Sequence, residues 1–350
     1  MALFEHMEFD SHEQVVFCHD KVTGLKAIIA VHDTTMGPAL GGTRMWNYVS
    51  SEEALTDVLR LSRGMTYKSA LAGLPLGGGK AVIIGDAKKD KSEAFFKAYG
   101  RFINSLGGKY ITAEDVNIRT ADIDIVGTET PFVAGTEGKA GDPSPHTAEG
   151  TYLGLKAAAK HAFGNENLSG LRIAIQGLGA VGYDFAEYCA KEGAQLIVAD
   201  VNEDAVAHAV KELSAKAVSI DAIYDAECDV YAPCALGATI NDATLKRIKA
   251  KVIAGSANNQ LATPAHDKVL RDMGILYAPD YVINAGGVIH VCSEAANFSL
   301  EETAARVKAI YGTLDKIFTR ATDENRPTGE IADEMAREIL AAKLAEKLAG

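Results

Sequence analysis

Two lysines and an aspartate sit among neighbours that give them chemistry to do. Lys80 closes the run Gly77-Gly78-Gly79-Lys80, and Lys68 lies 80 − 68 = 12 residues upstream, at the end of an Arg60–Gly73 helical stretch. Two ammonium groups converging on one pocket disfavour each other's charge, which turns one lysine into a usable base. The same residues also describe two unrelated solvated lysines, and spacing alone leaves both readings open. The glycine run is not a phosphate loop: Leu74 stands where that motif needs Gly, and Ala81 where it needs Ser or Thr. The strand AVIIG also follows the loop instead of preceding it. A glycine turn that holds a lysine against backbone groups is the better reading. Asp115, in AEDVN after a strand around Tyr110, occupies a place suited to an active-site acid and equally to a turn residue.

A second constellation points to a dinucleotide. Gly177-Leu178-Gly179-Ala180-Val181-Gly182 follows the apolar strand LRIAIQ and opens a helical run. The first glycine permits the tight turn, the second lets a pyrophosphate approach, and the third allows close helix–strand packing. The next strand ends in Asp200, 200 − 177 = 23 residues on, where a carboxylate accepts from ribose hydroxyls and repels a 2′-phosphate. NAD rather than NADP is expected. Asn258-Asn259-Gln260 follows the strand KVIAG at a carboxyl end of the same sheet, where amides can meet a nicotinamide or a carboxylate or cap the following helix. Asn284-Ala285-Gly286-Gly287 reads as a further small-residue loop. Nine histidines show no HExxH, no GxSxG occurs, and no carboxylate cluster has metal spacing, so no metal is expected.

The elements that must position these residues fall into two halves. Residues 1–145 mix strands and helices: QVVFC and KAIIAV read as a hairpin, and Ser50 with Glu53 as a capping box. Residues 133–146, rich in Gly, Pro and Thr, read as a hinge. Beyond them apolar strands alternate with helices in the manner of a parallel, doubly wound sheet. Two amphipathic helices follow, broken at Pro327-Thr328-Gly329. The fold class is α/β with two domains and a helical tail: 1–140 for substrate binding and self-association, 141–325 a Rossmann-type NAD-binding domain, and 326–350 a C-terminal helix packing back toward the first domain. Ile331, Met335, Ile339, Leu344 and Leu348 give that helix a broad apolar face, consistent with a homo-oligomer or with folding back on its own chain.

Composition bounds the partners. The 350 residues carry 35 Lys and Arg against 47 Asp and Glu, a net charge of −12, which disfavours nucleic acid and anionic membranes. Five scattered cysteines (Cys18, Cys189, Cys228, Cys234, Cys292) form no CxxC and point to a reducing cytoplasm. The segment MALFEHMEFD has no apolar h-region, and no apolar run reaches the ~18 residues of a membrane span.

Taken together, PLGGGKAVI, AEDV, GLGAVG, APCALGA, AGSANNQL and APDYVINAGG resemble the amino-acid dehydrogenases of the glutamate/leucine/phenylalanine/valine group. EQVVFCHDKVTGLKAIIAVHDTTMGPALGGTRMW is most similar to the leucine-type members. The resemblance covers nearly the whole chain. It implies reversible NAD-dependent oxidative deamination of an L-amino acid to the 2-oxo acid and ammonia in an inter-domain cleft, by a homo-oligomer. It would make Lys80 the general base and Asp115 the group that handles the substrate amine. Lys68 would bind the substrate carboxylate, helped by the Gly41–Gly42 backbone and by Asn259. Thr147, Cys234, Ala235 and Asn258 would line the cofactor site with the glycine turn and Asp200. The side-chain pocket would be Leu40, Met65, Ala113, Ala134, Val288 and Val291, all apolar, which favours leucine, valine and isoleucine over glutamate. Small Ala113 and Ala134, with His290 after Ile289, keep a phenylalanine or broad aromatic preference open. A silent NAD-binding sensor on the same fold is the reading from another class.

Overall fold

Ser50 starts the longest helix of the N-terminal half as its side chain predicts. Its hydroxyl accepts from the Glu53 N–H at 3.1 Å, while Glu53 reaches back to the Val49 N–H at 2.7 Å. The first contact satisfies a donor that a helix start leaves unpaired, and the second ties the helix back to the residue before the cap. The computed structural model describes residues 3–136 and 141–349. Within it the chain divides into two units. One is Met1–Gly141 with Val291–Ser299 and Ala336–Gly350; the other is Asp142–His290 with Leu300–Met335.

The first unit holds β1 (Gln14–His19), β2 (Lys26–Asp33), β3 (Ala39–Trp46), α1 (Ser51–Leu71), β4 (Gly77–Ile84), α2 (Glu93–Ser105), β5 (Tyr110–Glu114) and α3 (Thr120–Gly127). The sheet order is β1-β2-β4-β3-β5. The expected hairpin is present as an antiparallel pair, Gln14 opposite Val31 through His19 opposite Lys26. β3 runs parallel to both β4 and β5. Successive strand residues face opposite sides of a sheet, and here each side has its own core. Ile28, Ala30 and Val82 pack with Leu55, Val58 and Leu59 of α1. Ile29, Ala81 and Ile83 pack with Phe95, Phe96 and Tyr99 of α2.

The second unit holds α4 (Ser144–Phe163), β6 (Arg172–Gln176), α5 (Ala180–Lys191), β7 (Gln195–Ala199), α6 (Glu203–Leu213), β8 (Lys216–Ala217), β9 (Val230–Pro233), β10 (Val252–Ile253), α7 (Ala265–Asp272), β11 (Leu276–Tyr277) and α8 (Asp280–Ile283). Three longer helices follow: α9 (Gly286–Ala296), α10 (Leu300–Glu324) and α11 (Thr328–Ala349). All strand pairs are parallel, in the order β11-β10-β9-β6-β7-β8. That is the doubly wound arrangement expected from the alternating pattern.

Several expectations need correction. Gly77-Gly78-Gly79 is not a turn but the first part of β4, and the run of glycines reflects what packs on the strand. Gly286 and Gly287 begin α9 instead of lying in a loop. The hinge assigned to 133–146 contains ordered pieces: Val133 bridges Thr112, and α4 already starts at Ser144. Residues 137–140 of that segment lie outside the described residues. The unit division also departs from cuts at 140/141 and 325/326, since α9 and α11 each run through a boundary. Proline and glycine mark where a helix ends, whereas a unit boundary falls where packing partners change. Among the described residues, no helix is long and apolar enough to cross a membrane.

Candidate active site

The α1-facing side of the first sheet gathers most of the candidate substrate residues. Register and alternation put Leu40, Gly42 and Arg44 of β3, Gly78 and Lys80 of β4, and Ile111 and Ala113 of β5 on that side. The Lys80 ammonium, on a residue only 6 % exposed, lies 2.8 Å from Asp115 Oδ2 just beyond β5. The same oxygen accepts from Arg44 Nε at 3.3 Å. Arg44 Nη1 also meets Asp57 Oδ2 of α1 at 3.1 Å, and that oxygen accepts the Tyr48 hydroxyl at 2.6 Å. Burial pushes the Asp115 carboxyl up, but the charges of Lys80 and Arg44 outweigh it and hold the group below the ordinary carboxylate value. The result is an ionised carboxylate between two cations, able to accept a proton from a bound amine or return one.

Gly42 and Gly78 leave the floor of this side bare, and Gly41 lets β3 approach β4 from the opposite side. A Cβ at Gly41 would stand 1.8 Å from the Gly79 carbonyl oxygen, and one at Gly42 would stand 2.4 Å from that of Glu114 and 2.8 Å from Asp115 Cβ. Only glycine lets β3 lie this close to the Lys80 and Asp115 strands. The Gly41 carbonyl accepts the buried Tyr110 hydroxyl at 2.5 Å, and the Thr43 hydroxyl bonds both Tyr99 and Thr112 at 2.6 Å. Met65 and Lys68 are half-buried on α1, one turn apart on a common face. Leu40 and Ala134 are almost fully buried, and the Ala134 N–H donates to Thr112 beside β5 at 2.8 Å. Val288 and Val291 lie one turn apart on α9. Arg44, Asp57 and Tyr48 escaped the sequence reading. The available signal was parity, because Arg44 falls on the same side of its strand as Gly42.

In the second unit, the glycine turn sits at the point where strand order reverses, between β6 and β9. Gly177 adopts φ +104°, and a Cβ there would stand 2.7 Å from that of Ala235. A Cβ at Gly182 would stand 2.1 Å from the Gly177 carbonyl oxygen, whereas one at Gly179 would meet nothing within 4 Å. Gly179 is also the N-cap of α5 and offers no side chain to the first N–H groups of Ala180, Val181 and Gly182. Open space before uncapped N–H groups suits a pyrophosphate. Asp200 Oδ2 accepts from the Leu178 N–H at 2.6 Å and Oδ1 from the Asn202 N–H at 2.7 Å, which fixes the carboxylate at the edge of the turn. Cys234 continues β9, with its N–H donating to the Gln176 carbonyl at 2.7 Å. Asn258 is held by the Asn284 amide at 2.7 Å, and the Asn259 carbonyl accepts from the Ala238 N–H at 2.7 Å. Thr147 of α4 abuts the start of α9, its hydroxyl 2.7 Å from where a Gly287 Cβ would be. These residues fit a dinucleotide with its phosphates on α5 and its ribose at Asp200.

Comparison with known proteins bears on what this machinery serves. The description "Glu/Leu/Phe/Val dehydrogenase, dimerisation domain" matches residues 12–132, and "Glutamate/Leucine/Phenylalanine/Valine dehydrogenase" matches 197–345. The chain is 57 % identical over 341 residues to leucine dehydrogenase of Geobacillus stearothermophilus, covering 97 % of this chain and 93 % of that one. The chain belongs to the glutamate/leucine/phenylalanine/valine dehydrogenase family. This dehydrogenase is also 48 % identical over 343 residues to valine dehydrogenase of Streptomyces coelicolor, with 96 % and 94 % covered. Its fold matches the crystal structure of L-tryptophan dehydrogenase from Nostoc punctiforme with a TM-score of 0.87 and 42 % identity, over 98 % and 99 % of the two chains. It is an amino-acid dehydrogenase, an oxidoreductase that works with a nicotinamide cofactor.

Proposed function

We propose that this dehydrogenase catalyses the reversible NAD-dependent oxidative deamination of leucine, valine and isoleucine to the 2-oxo acids and ammonia. The observation that carries it is the buried Lys80–Asp115 pair, 2.8 Å apart on a sheet face floored by glycine. A nicotinamide held by the second-unit residues would supply the acceptor for the hydride that leaves the substrate Cα. Lys68 and the Gly41–Gly42 backbone hold the substrate carboxylate. Lys80 takes a proton from the water that attacks the resulting iminium carbon, and Asp115 carries a proton to the departing ammonia. Thr147, the Gly177–Gly182 turn, Cys234, Ala235 and Asn258 hold the dinucleotide, with Asp200 selecting NAD, and Asn259 reaches the substrate. The leucine and valine dehydrogenases among its relatives support the branched-chain class. So does the apolar set Leu40, Met65, Ala113, Ala134, Val288 and Val291, which offers no cation to a side-chain carboxylate.

A second reading, an aromatic amino-acid dehydrogenase, draws on the small side chains at Ala113 and Ala134 and on the similarity to a tryptophan dehydrogenase. NADH formation at 340 nm across leucine, valine, isoleucine, phenylalanine, tryptophan and glutamate decides between them. Leucine leading in kcat/KM supports the first reading, phenylalanine or tryptophan leading moves the assignment to the second, and glutamate leading refutes the apolar pocket.

Self-association is part of the proposal. The match to a dimerisation domain supports it, as do Leu344 and Leu348 of α11, 48 % and 80 % exposed. Ile331, by contrast, is buried within the chain. A cytoplasmic location fits the five free thiols.

A further inference from the structure

We propose that Arg44 is a positioning residue, acting with Asp57 as its anchor to hold Asp115 in the orientation and charge state that the reaction needs. The inference rests on the reading of Asp115 as the proton-carrying group, and it adds two residues to which the reaction assigns no role.

Arg44 uses two different nitrogens for two different carboxylates: Nε toward Asp115 at 3.3 Å and Nη1 toward Asp57 at 3.1 Å. A guanidinium is planar and rigid, so fixing one edge fixes the other. The anchor is itself fixed, because Asp57 rides on α1 and also accepts the Tyr48 hydroxyl at 2.6 Å. The arrangement therefore ties the acid at the end of β5 to the helix that carries Met65 and Lys68. Only a side chain with spatially separate donors does this; a lysine ammonium is a single point charge.

The charged and titratable groups around Asp115 define what Arg44 contributes. Lys80 faces it from β4 and Arg44 from β3 with Asp57 behind it; Tyr48, in the segment after β3, and Tyr110, on the opposite side of β5, feel its charge without touching it. Lys68 lies on the same face of α1 as Asp57, about three turns further along. Of the two cations that contact Asp115, Lys80 is engaged in the chemistry, so its charge and position change during turnover. Arg44 stays protonated throughout. It is the constant counter-ion against the burial that favours a neutral carboxyl.

The test is the pH dependence of leucine-dependent NADH formation in the intact protein. Turnover by the unmutated protein is measured first: its absence defeats the proposed reaction, whereas the variants judge only Arg44. Arg44→Met removes charge and bridge together, so the acidic limb of kcat moves up by about one pH unit, and the plateau kcat falls ~10-fold. Arg44→Lys keeps the charge and loses the bridge. Its acidic limb returns to the position in the unmutated protein while kcat stays low. Asp57→Asn frees the guanidinium without removing it, so kcat falls and the limb does not move up. A role confined to folding would lower the melting temperature and leave the limb in place. An Arg44→Met limb that coincides with that of the unmutated protein overturns the proposal. If Arg44→Met does not fold, Asp57→Asn decides: an unchanged kcat, or a reduced kcat that comes with a lowered melting temperature, overturns it, and a reduced kcat with an unshifted limb and an unchanged melting temperature supports it.

Discussion

Thr66 and Gly78 are packed so closely that a Cβ on Gly78 would stand 2.0 Å from the Thr66 backbone nitrogen and 2.2 Å from its hydroxyl oxygen. The contact seats α1 on β4 two residues before Lys80, and α1 carries Met65 and Lys68 on either side of Thr66. Backbone cannot yield as a flexible side chain would, so Gly78→Ala must lift the helix from the sheet. Overpacking of this kind costs about 1–3 kcal/mol. It also displaces Lys68 relative to Lys80. The expected result is a lower melting temperature together with a raised amino-acid KM. A variant with unmutated stability and KM would show that the contact does not set the helix position.

The two lysines should separate kinetically. Lys80→Ala removes a group that acts in the transition state, so kcat falls by roughly 10²–10⁴-fold. NAD binding stays intact, because the glycine turn and Asp200 lie in the other unit. It also strips Asp115 of one of its two cations, which raises that carboxyl. Lys68→Ala removes a carboxylate anchor that serves ground and transition states alike, so its main effect is on KM. Initial rates across a substrate range, with NADH binding followed by fluorescence, distinguish the two patterns. Identical patterns would end the separate assignments.

What could be read in advance follows from the range of the forces involved. The Gly177–Gly182 turn was legible because its strand, turn and helix are contiguous, and each glycine answers a local demand. The hairpin and the Ser50 cap were legible for the same reason. In sequence the glycines of β4 read as a turn because glycine there signals flexibility. Their cause is distant: Thr66 presses on Gly78, and the Tyr110 ring lies 2.7 Å from where a Gly79 Cβ would be. Gly286 reads as a loop for the same reason. A Cβ there would stand 1.9 Å from the His146 carbonyl oxygen, a contact across well over a hundred residues. Arg44 and Asp57 were invisible singly, since an arginine on a strand and an aspartate on a helix become a bridge only when the sheet stacks them beside Asp115.

Cofactor choice should rest on Asp200. Its carboxylate is tied to the turn through the Leu178 N–H at 2.6 Å, so a ribose 2′-phosphate would meet a fixed negative charge. NAD is expected to exceed NADP strongly in kcat/KM. Asp200→Asn removes the charge and keeps an oxygen that can accept from Leu178, so the NAD to NADP ratio should fall by at least ~10-fold, mostly through KM. Equal use of the two cofactors by the unmutated protein would refute the assignment.

Acidification should act on the two units in opposite directions. In the first, His32 is buried against His12, its Nδ1 2.8 Å from the Thr66 hydroxyl, and burial lowers its pKa to about 4. His12, Asp10, Asp33 and Arg63 are the charged neighbours that adjust this value. The unfolded chain binds a proton near pH 6.5 and the folded one does not, so stability is lost as pH falls from 6.5 toward 4. The linkage amounts to about 2 kcal/mol by pH 5. In the second unit, burial raises Asp267, beneath the start of α11, to about 6. There the folded form binds the proton more tightly, and stability is gained as pH falls through 6, by about 1 kcal/mol at pH 5. Hydrogen exchange read unit by unit between pH 8 and 5 should therefore show protection falling around α1 and β2 while it rises around α7. His32→Gln keeps a hydrogen-bonding amide for Thr66 without a titrating group and should flatten the acid loss. Asp267→Asn should leave that loss in place and abolish the gain. A His32→Gln protein as acid-sensitive as the unmutated one would place the lability on another group.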